Sequence, residues 1–381
     1  MANTLTSLVT DVFAALDVVS RELVGFIPAV TLDAQVTRAA VGEAVRTAVT
    51  PAAVAADIVP GVTAPNDGDQ VIGNRTITIT KSRGVPFRWN GEEQRGLNVG
   101  GPGYLSIRQD QIAQAMRTLT NEVETDFAAL HITSSRAFGT AAATPFASNL
   151  GDPAQMRKIL VDNGAPNQGL QLIVDTTAGA ALRTLAQLNK ANESGDETLL
   201  RQGVLLPLHG LEVRESAQIK VAVAIGGGSA YTSNTAGYAV GATSITLITG
   251  TGTILAGDIV TFVGDTNKYV VATGVAAPGV LVLQEPGLRK ALAASAVALS
   301  IVAASTRNMA FHRSALVGAL RAPALPQEGD SASERFTVVD PRSGIPIEIS
   351  LYAQYRQVRY EAALAWGVAN MAPRHTAILL G

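Results

Sequence analysis

The sequence predicts an α+β fold that carries an inserted all-β domain. Three observations predict it: a long amphipathic helix at residues 106–134, a Gly/Thr/Val-rich stretch at residues 219–304, and mixed α and β character on both sides of that stretch. Turn signals recur within residues 219–304 at intervals of about 8–12 residues, which is typical of a small barrel or sandwich. Residues 219–304 are therefore predicted to interrupt a larger domain.

The helix prediction rests on apolar residues at steps of three and four along one face. Ser106 and Gln109 predict a capping-box start, and a rise of 1.5 Å per residue gives a length of about 40 Å. Thr120, Glu124 and other polar residues lie on the opposite face, so we expect a large packing partner on one side only. This pattern fits either an ordinary long helix, as in a coiled coil, or a spine that crosses a flat, shell-forming subunit. The apolar face consists of Ile112, Met116, Leu119, Val123, Phe127 and Leu130.

The net charge and the low share of charged residues restrict what the protein can bind. The chain of 381 residues has 29 basic and 31 acidic residues, a net charge of −2, so it has no basic excess for holding nucleic acid tightly. Charged residues make up 16% of the chain, against about 25% in typical soluble proteins. A large core would explain this composition. Extensive contact with copies of the same chain would also explain it, because interface cores are poor in Lys, Glu and Asp.

The sequence has no cysteine, which excludes disulfides, thiolate metal sites and a cysteine nucleophile. Its N-terminal residues lack the pattern of a secretory signal. The longest weakly polar run, residues 291–304, is shorter than the roughly 18–20 residues that a membrane span needs. We therefore expect a soluble protein with no membrane partner.

The N-terminal quarter is predicted to contain a helix and a polar hairpin. Apolar periodicity predicts a helix at residues 3–24, followed by an extended arm with short strands at residues 26–75. Alternation predicts strands at residues 76–80 and 85–89, joined by a turn at residues 81–84, with Pro86 marking an edge strand. An isolated hairpin is marginally stable in water, so we expect this one to rest on another surface.

Five charged residues on this hairpin are candidates for contact with a neighbouring subunit. Lys81, Arg83 and Arg88 lie near its predicted tip, and Glu92 and Glu93 lie at its base. We hypothesise that the three cations pair with acidic groups of an adjacent subunit, because a hairpin that cannot stand alone carries all three.

The remaining elements follow from periodicity and turn signals. Outside the insertion, helices are predicted at residues 152–164 and 177–188, and strands at residues 170–174, 335–339, 345–351 and 376–380. Inside it, strands are predicted at residues 220–225, 236–240, 244–248, 259–263, 268–273, 279–284 and 297–302.

No catalytic, cofactor or metal site is predicted. The sequence has no G-x-S-x-G, Walker A or H-E-x-x-H motif. His131, His209, His312 and His375 are far apart in sequence, and none has the spacing of a metal-binding helix. They are expected to be polar packing residues, and nothing in the sequence supports an enzyme.

Three stretches carry a resemblance to a known family. Residues 362–378 contain Trp366-Gly367 followed by Asn370 and a final strand; residues 256–264 contain a Gly-Asp strand; and residues 200–213 precede the insertion. In this order they resemble the major capsid (coat) proteins of tailed bacteriophages, which have the Hong Kong 97 fold. The insertion makes the chain similar to podophage coat proteins that carry an extra β-barrel domain.

The resemblance implies a division of the chain and a structural role. It implies self-assembly through pentamers and hexamers into an icosahedral shell around double-stranded DNA, with location in the virion capsid after assembly in the host bacterial cytoplasm. It also implies a scaffolding protein and a portal as partners, and non-specific contact with the packaged DNA. The implied domains are an N-arm (1–65), an extended β-hairpin loop (66–104), a peripheral domain (105–165 and 335–381), an axial domain (166–218 and 305–334) and the insertion domain (219–304).

Some members of the wider fold join a lysine to an asparagine covalently. Lys81 and Asn370 are the only candidates here, and we do not expect the cross-link.

Two other classes remain open at this point. One is an encapsulin-like compartment shell, which shares the fold. The other is a β-rich binding module such as an adhesin or carbohydrate-binding protein. Aromatic residues are only 5% of the chain, and Trp89 and Trp366 lie outside the all-β stretch, which argues against a sugar-binding platform.

Overall fold

The computed structural model describes residues 25–49, 69–101, 103–189, 207–220, 225–276, 278–339 and 345–381, with residues 55, 57, 58, 60–62 and 205. The helix predicted at residues 3–24 lies outside these residues. Within them, 3-10 helices lie at Leu130–Thr133 and Pro373–His375. The α-helices are α1 (Gly91–Gly100), α2 (Tyr104–Ala129), α3 (Gly151–Asp162), α4 (Thr176–Thr184) and α5 (Ala186–Asn189).

Helix α2 is the predicted long helix and is called the spine helix below. It has 26 residues, which makes it roughly 39 Å long. The predicted apolar face is confirmed. Ile112 and Leu130 are partly buried against the core, and the other four members are buried: Met116, Leu119, Val123 and Phe127.

Two expectations about the spine helix are wrong. It starts at Tyr104, after Gly103 (φ +92°), and not with a capping box at Ser106. The Asn98 side chain accepts the Tyr104 N–H at 3.0 Å and so caps the helix two residues earlier. The helix is also covered on more than one side. Thr120 and Glu124 of the predicted polar face are 0% and 1% exposed.

The spine helix packs on a six-stranded sheet. Its strands are β1 (Thr31–Ala39), β4 (Lys81–Asn90), β16 (Leu316–Pro323), β17 (Ala332–Val339), β18 (Pro346–Gln354) and β19 (Gln357–Asn370). The order is β1-β16-β19-β18-β17, and β4 pairs along β19. One core joins the two layers, with Leu119, Val123 and Phe127 of the helix against Ile349 and Trp366 of the sheet.

The predicted hairpin of residues 76–80 and 85–89 is wrong. Strand β3 (Gly73–Thr78) pairs with β2 (Ala44–Val49), and β4 pairs with β19 over ten register positions, from Asn90 opposite Gln357 to Lys81 opposite Trp366. Local alternation identified both strands but not their partners, which lie elsewhere in the sequence. The hairpin of this region is therefore β2–β3.

The short strands expected in residues 26–75 are confirmed by β1, β2 and β3. The edge position expected for Pro86 is also confirmed, because its strand β4 pairs only with β19 among the described strands.

A second sheet has the order β5-β20-β15-β6-β7 and packs against α3 and α4. Helix α3 and strands β6 and β20 were predicted. The single helix predicted at residues 177–188 is two helices, α4 and α5. Asp175 begins α4 because its carboxylate accepts the N–H groups of Thr177 and Ala178. The strands are β5 (Arg136–Phe138), β6 (Leu170–Val174), β7 (Leu211–Glu215), β15 (Arg307–His312) and β20 (Thr376–Leu380).

The inserted domain contains a closed six-stranded barrel. The strand order is β10-β14-β8-β9-β13-β11, and β11 pairs with β10 to close the ring. Short strand β12 adds to β9, and β11 also pairs with β5 of the second sheet. The strands are β8 (Gly228–Ser233), β9 (Ser244–Ile254), β10 (Ile259–Phe262), β11 (Lys268–Thr273), β12 (Val275–Ala276), β13 (Gly279–Leu283) and β14 (Ala298–Ile301).

The barrel prediction is confirmed, and five of its seven predicted strands correspond to β9, β10, β11, β13 and β14. The strand predicted at residues 236–240 is wrong: this segment turns, with one bridge from Tyr238 to Leu292, and β8 lies at Gly228–Ser233 instead. Exposed Gly228, Ser229 and Ala230 concealed the alternation of β8. The strand predicted at residues 220–225 lies mostly outside the described residues.

Glu124 anchors the beginning of the described chain to the spine helix. Its carboxylate accepts the backbone N–H groups of Gly25, Phe26 and Ile27 at 2.6, 2.6 and 3.1 Å. Burial raises the pKa of this carboxyl, and the N–H donors oppose that rise. Phe26 and Ile27 are themselves buried in the main core, so this part of the predicted arm belongs to the folded body.

We predict that residues 225–304 fold when expressed alone. The barrel is closed, and one core cluster lies entirely within it. Amide resonances should be well dispersed in a two-dimensional NMR spectrum. Leu247→Asp, at a buried position, should abolish the dispersion, whereas Val280→Asp, at a half-exposed position, should retain it. A disordered spectrum of the unmodified fragment would contradict independent folding.

We predict that Glu124→Ala lowers the free energy of unfolding of the unassembled subunit by about 2–4 kcal/mol, because buried N–H groups lose their acceptor. Glu124→Gln should cost less because it keeps one acceptor oxygen. The matched control is Glu122→Ala, two residues away and 36% exposed on its side chain, which should change stability by less than about 1 kcal/mol. Urea unfolding measures all three, and equal midpoints for the two alanine variants would disprove the anchor.

Candidate subunit-contact surface

Lys81 lies at the start of β4 and binds the spine helix of its own chain. Its Nζ is 2.7 Å from Asp126 Oδ1, and Trp366 Nε1 donates to Asp126 Oδ2 at 2.8 Å. The ammonium also lies 5.8 Å from the centroid of the Trp366 ring. Trp366 is fully buried, so one carboxylate joins the helix, β4 and β19.

Arg83 follows on the same face of β4 and lies 3.6 Å from Glu122 Oε2, one helical turn before Asp126. The Arg83 side chain is 58% exposed and the Glu122 side chain 36% exposed, so solvent screens this pair and it contributes little stability. Lys81 and Arg83 are not at the tip of a free hairpin, and that part of the prediction is wrong because β4 pairs with β19. Contact of these residues with another subunit stays a prediction.

Glu92 and Glu93 lie in the first turn of α1, directly after β4. Asn90 and Glu93 form a capping box: Asn90 Oδ1 accepts the Glu93 N–H at 2.8 Å, and Glu93 Oε2 accepts the Asn90 N–H at 3.0 Å. This cap fixes the position of the Glu93 carboxylate. Glu92 is exposed and has no ion pair among the described residues.

An aromatic cluster fixes the end of β4 against the beginning of the spine helix. Trp89 and Tyr104 meet edge to face at 5.7 Å, and Phe87 stacks on Tyr360 at 5.3 Å. The two tyrosine hydroxyls lie 3.2 Å apart, and Arg108 donates to Tyr360. Burial, followed by the hydrogen bond with Tyr360, raises the pKa of Tyr104 to about 12. This cluster makes the surface beside it rigid.

A polar groove of about 590 Å³ lies beside the aromatic cluster. Arg88 is exposed there and has no ion pair within the part of the chain that the structure describes. Arg359 pairs with Glu361 at 2.6 Å, but its Nε is buried without a partner. The groove is lined by Pro86, Phe87, Arg88, Asn90, Glu93, Gln111, Gln354, Gln357 and Arg359.

The two candidates for a covalent cross-link are both engaged within the chain. Lys81 binds Asp126, as described above. Asn370 Nδ2 lies 2.9 Å from Thr133 Oγ1 and 3.1 Å from Thr376 Oγ1. Each side chain therefore has a packing role in the folded subunit.

Two of the four histidines lie side by side in the fold. His131 is buried, with Nδ1 3.0 Å from the Ala128 carbonyl, and burial lowers its pKa. His312 and His375 are adjacent, with ring centroids 6.4 Å apart. Among the described residues, no three His, Cys, Asp or Glu side chains gather as metal ligands. No helix in that same part of the chain is long and apolar enough to cross a membrane.

Exposed apolar side chains are the surface feature that periodicity did not reveal. Six of them lie in the connection between β2 and β3 or where α1 meets the spine helix, and each of these six is at least 59% exposed. They are Ile58, Val62, Val71, Ile72, Val99 and Leu105. Single exposed aliphatic residues are ordinary, but grouped ones indicate an interaction surface.

No family model matches this sequence, and no curated protein matches it. Solved phage capsid structures are similar to it. The capsid of cyanophage P-SCSP1u matches with a TM-score of 0.50 and 9% identity, over 100% of this chain and 92% of that chain. The mature capsid of bacteriophage PhiM1 matches with a TM-score of 0.47 and 10% identity, over 100% of this chain and 90% of that chain. Mycobacterium phage Che8 matches with a TM-score of 0.45 and 14% identity, over 89% of this chain and 84% of that chain.

The first of these matches extends over the whole chain and shows that the protein has the fold of a bacteriophage capsid protein. The resemblance inferred from the sequence is thereby confirmed at the level of fold.

We predict that a double-mutant cycle of Lys81→Met and Asp126→Asn gives a coupling free energy of about 1 kcal/mol, because this pair is partly buried and shares its carboxylate with Trp366. The matched cycle of Arg83→Met and Glu122→Gln should give less than about 0.5 kcal/mol because that pair is exposed. Urea unfolding of the unassembled subunit measures both. A larger coupling for the Arg83 pair would contradict the assignment.

Proposed function

We propose that this chain is the major capsid protein of a tailed bacteriophage. It assembles through pentamers and hexamers into an icosahedral shell that encloses double-stranded DNA. The observation that carries the proposal is the full-length match in fold to the cyanophage capsid chain. The shell is the virion capsid, and its assembly takes place in the host bacterial cytoplasm.

The Hong Kong 97 arrangement accounts for the architecture. In this division, the spine helix, β18, β19 and β20 fall in the peripheral domain (105–165 and 335–381), and β6, β7, β15 and β16 fall in the axial domain (166–218 and 305–334). The barrel falls in the insertion domain (219–304), and both sheets cross the boundary between the peripheral and axial domains. The N-arm remains within residues 1–65. The pairing of β2 with β3 favours residues 44–78, rather than 66–104, as the extended hairpin.

Surface chemistry supports a role in self-assembly. Ile58 and Val62 are about as exposed as in an unfolded chain, at 97% and 107%, although their burial would be favourable. The β2–β3 hairpin is a separate two-stranded sheet. Its base packs on the six-stranded sheet of the same subunit, where Ile77 is buried with Ala319 and Ala365, whereas residues 73–76 are exposed and need a supporting surface. Neighbouring subunits provide that surface in a shell. Many weak contacts of this kind hold a shell together through multivalency.

Arg88 and Glu92 are the charged residues of the predicted set that we propose for contact with a neighbouring subunit, since both are exposed and lack ion pairs within the described chain. Lys81 and Arg83 bind the spine helix within the subunit, and Glu93 caps α1 and also lines the polar groove. A scaffolding protein and a portal are proposed as further partners. Contact with packaged DNA is proposed to be non-specific, consistent with a net charge of −2.

We predict that the protein expressed alone forms closed shells or capsid-like fragments, visible by electron microscopy and sedimenting far faster than a 39.4 kDa monomer. A monomer that assembles when a scaffolding protein is added would also fit the proposal. A monomer that does not assemble under either condition would contradict it and favour a binding module. Shells that copurify with an enzyme cargo instead of DNA would favour an encapsulin-like compartment.

A further inference from the structure

The turn between β18 and β19 presents an aromatic side chain to solvent. It consists of Tyr355 and Arg356, and Gln354 pairs with Gln357 at its base. Tyr355 is 87% exposed. Arg356 has a φ of +56°, which is unfavourable for a residue with a Cβ atom, and its guanidinium lies 5.8 Å from the Tyr355 ring centroid. No part of the described core uses this ring, so the folding of the subunit does not explain it.

The polar groove described above begins at the same turn. Gln354 and Gln357 line it, as do Arg88 and Glu93. Asn90 lies opposite Gln357, and Arg88 lies opposite Arg359, two residues further along β19. Glu93 Oε2 accepts the Asn90 N–H, and no bond to Oε1 is recorded among the described residues. The capping box keeps the Glu93 carboxylate in place, and Arg88 lies between two members of the aromatic cluster, Phe87 and Trp89, along β4.

The turn offers a partner for each of the two groove residues that carry a charge without an ion pair in the described chain. Arg359 also lines the groove, opposite Arg88, but it is already paired with Glu361. The Tyr355 ring can stack on the Arg88 guanidinium, a favourable contact between a cation and an aromatic face. The Arg356 guanidinium can pair with the Glu93 carboxylate in a charge-assisted hydrogen bond. Tyrosine and arginine are also the residue types that contribute most to protein–protein binding when they enter a pocket.

A subunit cannot fill its own groove with this turn. The turn has only two residues, and Gln354 and Gln357 on either side of it themselves line the groove, so no chain length is left for folding back. A second copy can supply the turn if a rotation axis passes beside it. Each copy then gives one turn and receives one, and such head-to-tail contacts close into a ring.

We propose that the Tyr355–Arg356 turn of one subunit inserts into the Arg88–Glu93 groove of a second copy, in a ring of copies around a rotation axis of the assembly. This inference rests on the proposed function, because it assigns one of the contacts that build the shell. It also gives a role to Arg88 and Glu93, two of the charged residues singled out from the sequence.

Disulfide trapping tests the contact directly, because the natural chain has no cysteine to give a background. The test variant carries Arg356→Cys and Glu92→Cys, which leave Tyr355 and Arg88 in place. After mild oxidation of assembled shells, a non-reducing denaturing gel should show a ladder of covalent multimers that ends at the number of copies around the axis and disappears with reductant. The matched control combines Arg356→Cys with Val280→Cys on the barrel and should stay monomeric on the gel.

The possible failures are distinguishable. Shells of the double variant that give no ladder would overturn the inference and leave the proposed function intact. Cross-linking by Arg356→Cys alone would also overturn it, because the turns would then meet one another and not the groove. Absence of shells from the unmodified protein, with and without a scaffolding protein, would overturn the proposed function and the inference together.

Assembly measurements give a second, independent readout. Tyr355→Ala and Arg88→Ala should each raise the protein concentration needed for assembly by roughly tenfold, as expected for residues central to an interface. Tyr355→Phe keeps the ring and should stay within about twofold of the unmodified protein. The circular dichroism of the unassembled variants should be unchanged, because both residues are exposed. An unchanged threshold for Tyr355→Ala would overturn the proposal.

Discussion

Two acidic side chains of the spine helix, Glu124 and Asp126, attach distant parts of the chain to it. Glu122 and Asp126 are four residues apart and lie on one face, where they bind Arg83 and Lys81 of β4. Glu124 points to the other side and accepts three backbone N–H groups from residues 25–27. The helix thus fixes β4 and the start of the described chain independently of each other. The positions of the groove and the β2–β3 hairpin follow from these attachments.

The fold combines one closed unit with open ones. The barrel pairs every strand around a ring, so it offers no free edge for another strand. The six-stranded sheet, by contrast, ends in β1 and β17, and the β2–β3 hairpin is a sheet of only two strands. Open edges and small sheets are liabilities in a monomer, but they become contact surfaces in an assembly. The distribution of closed and open units therefore agrees with the proposed role in a shell.

Low charge has a different meaning in different parts of this chain. In the barrel and the two sheets, it reflects extensive cores. In residues 55–72, the only charged residues are scattered aspartates. The apolar side chains of Ile58, Val62, Val71 and Ile72 are exposed there. The groove shows the opposite: Arg88 is exposed without an ion pair in the described chain. Apolar excess in one place and an unpaired cation in another are both explained if neighbouring copies complete the surface.

The spine helix, the barrel and most strands could be predicted from the sequence, because periodicity reports which side of an element is buried. The sequence also offered Arg88 and Glu93 among five contact candidates. The pairing of β4 with β19, the contact of Lys81 with Asp126 and the burial of Glu124 could not be predicted in this way. Periodicity carries no information about a partner distant in sequence, because pairing depends on which surfaces the folded chain brings together. Glu124 was assigned to the solvent for the same reason: its N–H partners belong to a segment 97 to 99 residues earlier.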